Sequence, residues 1–137
     1  MTDNPWIQLF LTTENFIQSE FLPEPDAAHF LQKAKKAIDS AKNEITFGET
    51  INELLLSNEG GLKDCHKSLA TIGIWHFECA VELFNKAIRN FEKAKKLRLS
   101  KVSMKEIDAQ IKDSKKQLAE ATKQKDLADD LLNSINK

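Results

Sequence analysis

Tyrosine is absent from this chain, glycine occurs four times and proline three. So few helix breakers leave room for only a handful of turns, and the abundance of Ala, Leu, Lys and Glu favours helix. No run approaches the ~20 apolar residues of a membrane span. No basic segment followed by an apolar core opens the chain, so no signal peptide is read and a cytoplasmic location is expected. Only two cysteines occur, Cys65 and Cys79. On one helix they would stand about 21 Å apart, too far for a mutual disulfide, so both are expected as reduced thiols. The first 32 residues contain no Lys or Arg, whereas residues 86–116 carry eleven basic and four acidic residues. With a net charge of −1, the whole molecule exerts no strong pull on nucleic acid or membrane, and any such pull is local.

What is present is a heptad. From Ala70, one position holds Ala70, Phe77, Phe84 and Phe91, and the position three residues later holds Gly73, Ala80, Ala87 and Ala94. Large rings alternating with small residues every seven positions form the seam of a long helix closely packed on another, as in a coiled coil. A second row, Ile74, Val81 and Ile88, runs beside it, so this helix is expected to be gripped from two sides.

The remaining elements follow from caps and breaks. Asn4-Pro5 reads as a cap with proline at the first helical position, opening a short helix over about 5–21. Pro23-Glu24-Pro25 ends it. A second helix, about 26–57, has the seam Ala27, Leu31, Ala34, Ile38, Ala41, Ile45, Gly48, Asn52 and Leu55. Thr46-Phe47-Gly48-Glu49 has the form of a capping box that would restart a helix, but the unbroken phase favours continuity. Asn58-Glu59-Gly60-Gly61 is the clearest break. The central helix then spans about 62–98. Ser103-Met104-Lys105-Glu106 reads as a second capping box opening the last helix, about 104–136, whose seam is weakened by Ser114 and Lys125. Short turns make neighbours antiparallel. The expected fold is an all-α, elongated antiparallel bundle: three long helices plus a short N-terminal one, one domain over residues 1–137 and about 50 Å long. In this arrangement the Ile74 row faces the second helix and the phenylalanine row faces the last.

Each chemistry-bearing feature has a plainer alternative. His76-x-x-Cys79 puts two metal ligands one turn apart, but Cys65-His66 lies about 16 Å away along the helix, and a closed zinc site needs four ligands. Asp26-x-x-His29 has a metal-like spacing, yet the Glu-x-x-His pairs of carboxylate bundles do not occur. A cysteine paired with histidine would need an orienting third group to act as a nucleophile, and a small buried cysteine is the commoner outcome. Glu78 and Glu82, four residues apart, read as solvated surface. Gly60-Gly61 is a turn, not a phosphate loop. No catalytic residue, metal site or cofactor is therefore assigned. The pattern Ala80-x-x-x-Phe84-x-x-Ala87 fits half of a tetratricopeptide helix pair, but it recurs seven residues on and the other half is missing, so the heptad accounts for it.

Two surfaces remain. Lys93, Lys95, Lys96, Arg98, Lys101 and Lys105 crowd the turn between the last two helices, a candidate tip for nucleic acid or another anionic surface. The antiparallel arrangement brings Glu20, Glu24 and Asp26 to the same end, and no aromatic residue follows Phe91 to stack a base. The second surface is Ile72, Trp75 and Cys79, extended by Trp6 and His76, on the side of the central helix away from both seams; exposed tryptophan in an apolar patch marks interfaces. The expectation is a non-enzymatic protein-interaction module of adaptor, inhibitor or chaperone type, its partner another protein or a second copy of the chain. Binding through the basic region 93–116 ranks second. A small helical-bundle enzyme or metal-binding protein ranks third.

Overall fold

The computed structural model describes residues 25–58, 60–97 and 99–136. The N-terminal helix expected over 5–21, with Trp6, lies outside the described residues, as does Arg98. Three long helices account for nearly all of the described chain: α1, Pro25–Leu56; α2, Lys67–Lys95; and α3, Lys101–Asn136. A 3-10 turn, Asp64–His66, precedes α2. The helices pack as an all-α bundle in which α2 is the middle member, packed along both α1 and α3, while α1 and α3 meet only sparsely. No helix among the described residues is long and apolar enough to cross a membrane.

Helix α1 runs unbroken through Gly48. The Thr46 hydroxyl donates back to the Lys42 carbonyl at 3.0 Å and Thr50 donates to the Thr46 carbonyl at 2.8 Å. Those hydroxyls bond within the helix, so Thr46 caps nothing.

The expected start of the central helix at residue 62 is five residues early. Gly61 has φ +74°, a left-handed conformation suited to glycine. Asn58 gathers the turn: its side-chain oxygen accepts the Gly60 N–H and its carbonyl accepts the Gly61 N–H, both at 3.1 Å. The Lys63 N–H then donates to His66 Nδ1 at 2.8 Å, and the 3-10 turn forms before α2 begins.

The next turn lies three residues earlier than expected, with α2 ending at Lys95 and α3 starting at Lys101. At the end of α2, Lys96 and Leu97 donate to Lys93 and Ala94 in a tightened last turn. The cap of α3 is Ser100, not Ser103. Ser100 Oγ accepts the Ser103 N–H at 3.1 Å, and its carbonyl accepts the Met104 N–H at 3.0 Å. Ser103 is thus the third residue of the helix, buried and hydrogen-bonded through its hydroxyl to Ser100.

The heptad of α2 forms the core. Phe77, Phe84 and Phe91 are completely buried, as are Ala70, Ala80, Ala87 and Ala94. Burying each ring contributes on the order of 2–3 kcal/mol. Small residues line the facing stripes, among them Ala34, Ala37 and Ala41 on α1 and Ala121 on α3, which lets the backbones approach the rings. A second cluster at the other end joins Ile51, Leu55, Ala70, Leu131 and Ile135.

At Phe77 and Val81 the neighbours differ from those that the sequence pattern implies. The tip of Phe77 lies against Gly48 of α1, and Gly73 meets Ile51 of α1. Val81 instead lies beside Thr122 and Lys125 of α3. On α3, Ser114 is buried as its seam position predicts, while Lys125 is only half-buried.

Candidate functional site

The outer side of α2 carries the residues that the core does not absorb. Trp75 is 58 % exposed and Ile72 47 % exposed. The heptad core positions on either side of Trp75 are Gly73 and Phe77, so a residue midway between them is turned outward by the helical period. Beside Trp75 an open groove of about 670 Å³ runs between α2 and α3, lined by Trp75, Glu78, Cys79, Val81, Glu82, Thr122 and Lys125. Its α2 residues fall at steps of three and four.

His76 takes a different route. Its Nδ1 is paired with the Glu44 carboxylate of α1. Its ring stacks on Phe47, with centroids 5.3 Å apart and planes inclined by 25°, and meets the edge of Trp75 at 5.1 Å. His76 therefore joins α2 to α1 and does not line the groove. Phe47, 59 % exposed, extends the apolar surface across that joint. Of the residues expected at this surface, Ile72 and Trp75 are on it, Trp75 and Cys79 line the groove, His76 supports it from behind, and Trp6 lies outside the described residues. Phe47, Glu44, Glu78, Val81 and Glu82 are additions. The spacing of Trp75, Glu78, Cys79 and Glu82 was the available signal for Glu78 and Glu82; Glu44 and Phe47 needed the register between α1 and α2.

Burial pushes the Cys79 thiol above its ordinary value of 9.0, and the carboxylates of Glu44, Glu78 and Glu82 push it further the same way. Such a thiol stays protonated at neutral pH, the opposite of an activated nucleophile. Lys125 is held by Asp129 at 3.1 Å, and that hydrogen bond raises its pKa above 10.5. Among the described residues, no group of three His, Cys, Asp or Glu is placed to hold a metal ion. Comparison of the chain with protein-family models, with curated proteins and with solved structures finds no match.

The basic end divides in the same way. Lys95 pairs with Asp108 of α3 at 2.7 Å, and that hydrogen bond raises its pKa. The Lys93 ammonium sits 5.6 Å from the centroid of Phe30, a cation–π contact. Lys96, Lys101 and Lys105 are exposed, and Arg98 is outside the described residues. Of the acids expected to neutralise this end from the N-terminal side, Glu20, Glu24 and Asp26, the first two also lie outside them and Asp26 stands in the first turn of α1. The neutralising partner that is present is Asp108, from the helix on the far side of the turn.

Proposed function

We propose that this chain is a non-enzymatic protein-interaction module that presents the Trp75 face of α2 to a protein partner, as an adaptor, inhibitor or chaperone-like bundle does. One observation carries the reading: a large aromatic ring stands mostly in solvent beside an open groove, while the core behind it is already filled by Phe77, Phe84 and Phe91. The bundle does not need Trp75 for its own packing, and a large exposed ring beside a groove is the kind of anchor on which interfaces concentrate their binding energy. Two helices with an open furrow between them suit helix-in-groove docking. The raised pKa of Cys79 weighs against the reading as a thiol enzyme.

The test is affinity capture with wild type and Trp75→Ala side by side, with molar mass measured on both. The expected result is a defined partner retained by wild type and lost from the variant, with both proteins equally helical. Identical partners and identical mass would sink the proposal.

Nucleic acid or another anionic surface at the basic end is the second reading, favoured by the exposure of Lys96, Lys101 and Lys105. It requires a steeply salt-dependent complex that disappears on charge reversal at Lys95 and Lys96. The pairing of Lys95 with Asp108 reduces the charge available there.

A further inference from the structure

The groove beside Trp75 is one-sided in charge. Val81, Cys79 and the Trp75 indole give it an apolar lining. Glu78 and Glu82, both exposed and one turn apart, wall it on the α2 side. Neither forms an ion pair among the described residues. The groove's one lining cation, Lys125, is taken by Asp129 of its own helix. Thr122 is neutral, and the neighbouring Asp126 adds a further exposed acid. The Cys79 thiolate is disfavoured first by burial and then by the carboxylates of Glu44, Glu78 and Glu82.

We propose that the occupant of this groove is a cationic amphipathic helix of a partner protein, its apolar face on Trp75, Cys79 and Val81 and its Lys or Arg side chains against Glu78 and Glu82. The inference rests on the docking reading above and names the chemistry of the partner. From Trp75 to Glu82 the groove covers about 10 Å of helix, so roughly two turns of a docked helix lie along it. The two acids stand about 6 Å apart along the axis, the same step as basic residues four apart on a partner helix. The exposed indole face adds a cation–π site for arginine.

Two rival occupants fit less well. Residues 1–24 are rich in apolar side chains but carry Asp3, Glu14, Glu20 and Glu24 and no Lys or Arg, so their charge has the same sign as that of the groove and is repelled by it. A second copy meeting this face symmetrically would set the same patch against itself, placing Glu78 and Glu82 opposite their own counterparts.

The experiment uses the full chain and a pair of fluorescent designed helical peptides, one of Leu, Ala and Lys and one with every Lys replaced by Glu. Anisotropy titrations at low ionic strength are expected to show the Lys peptide binding at least about tenfold more tightly than the Glu peptide, an advantage that shrinks as salt screens the charges. The double variant Glu78→Lys/Glu82→Lys reverses the order, and Trp75→Ala weakens binding of both peptides. Circular dichroism confirms that each variant remains helical. Equal binding of the two peptides, or an order that survives the double reversal, overturns the charge assignment; if Trp75→Ala still weakens binding, the docking reading stands without it. Binding of neither peptide, or indifference to Trp75→Ala, overturns both. A dimeric wild type that Trp75→Ala makes monomeric assigns the groove to a second copy and also overturns the proposal.

Discussion

The tip of the Phe77 ring occupies the space that a side chain on Gly48 would take. A Cβ built on Gly48 would lie 2.6 Å from Phe77 Cζ, and the ring is wholly buried. Two effects compete on replacing this glycine. Alanine is about 1 kcal/mol better than glycine inside a helix, whereas overpacking a filled core costs about 1–3 kcal/mol. The overlap decides for the second: Gly48→Ala is expected to lower stability by roughly 1 kcal/mol. At Gly73 the nearest atom is Ile51 Cγ2 at 3.1 Å, a contact relieved by a small shift, so Gly73→Ala is expected close to neutral. Urea unfolding of both variants checks the pair. A Gly48→Ala protein as stable as wild type would show that the ring has room to move.

Ser114 poses the opposite case. It is fully buried, and its hydroxyl has no hydrogen-bond partner among the described residues. An unpaired buried hydroxyl is a cost, and alanine is the better helix former. Ser114→Ala is expected to stabilise the bundle by about 1 kcal/mol, read as a rise in melting temperature. A fall would mean that the hydroxyl is hydrogen-bonded in solution.

These two positions mark what the sequence made legible and what it did not. The heptad of α2 was readable because ring and small residue alternate with a large difference in volume, and Phe77, Phe84, Phe91 and their alanines are buried as that pattern implies. Which neighbour each row meets was not readable. The rows of Phe77 and Val81 are adjacent on the helix, and the neighbour that each meets depends on close approaches such as Phe77 on Gly48. The cap of α3 was misplaced because Ser103-x-x-Glu106 has the residue types of a capping box, while Ser100 has only the geometry. At the candidate site, Ile72, Trp75 and Cys79 stood out as apolar residues off the seam. Phe47 and Glu44 did not, since their meeting with His76 depends on the register of two helices. Glu78 and Glu82 looked like ordinary surface until the groove placed them on one wall.

The pairing of His76 with Glu44 gives α1 and α2 a polar link just behind Trp75. Both side chains are half-buried, so the link is worth more than a fully exposed pair and less than a core contact. A double-mutant cycle with Glu44→Ala and His76→Ala is expected to return a coupling of about 0.5–1 kcal/mol. Phe47→Ala removes the ring stacked on His76 and is expected to reduce that coupling. A coupling of zero would show that the contact contributes nothing to holding α1 on α2.

The two cysteines are expected to react very differently. Cys65 is exposed and Cys79 half-buried, with the Cys79 thiol raised above 9.0 by burial and then by Glu44, Glu78 and Glu82. Since the thiolate is the reactive form, Cys79 in a Cys65→Ser background is expected to react with a disulfide reagent at pH 8 at least about tenfold more slowly than Cys65 in a Cys79→Ser background. Glu78→Gln/Glu82→Gln removes two of the charges that disfavour the thiolate, and is expected to speed the reaction of Cys79 without altering that of Cys65. The sign of the linked stability follows. The unfolded chain loses its Cys79 proton near pH 9.0 and the folded chain only above that. Between those values the folded state holds more protons, so this group lowers stability as pH rises. Replacing Cys79 with Ser is therefore expected to flatten the alkaline loss of stability above pH 9.0. Equal reaction rates for the two thiols, or an alkaline profile unchanged by that replacement, would show that the surroundings do not raise the Cys79 thiol, and a Cys79 rate unchanged by Glu78→Gln/Glu82→Gln would show that these two carboxylates do not act on it.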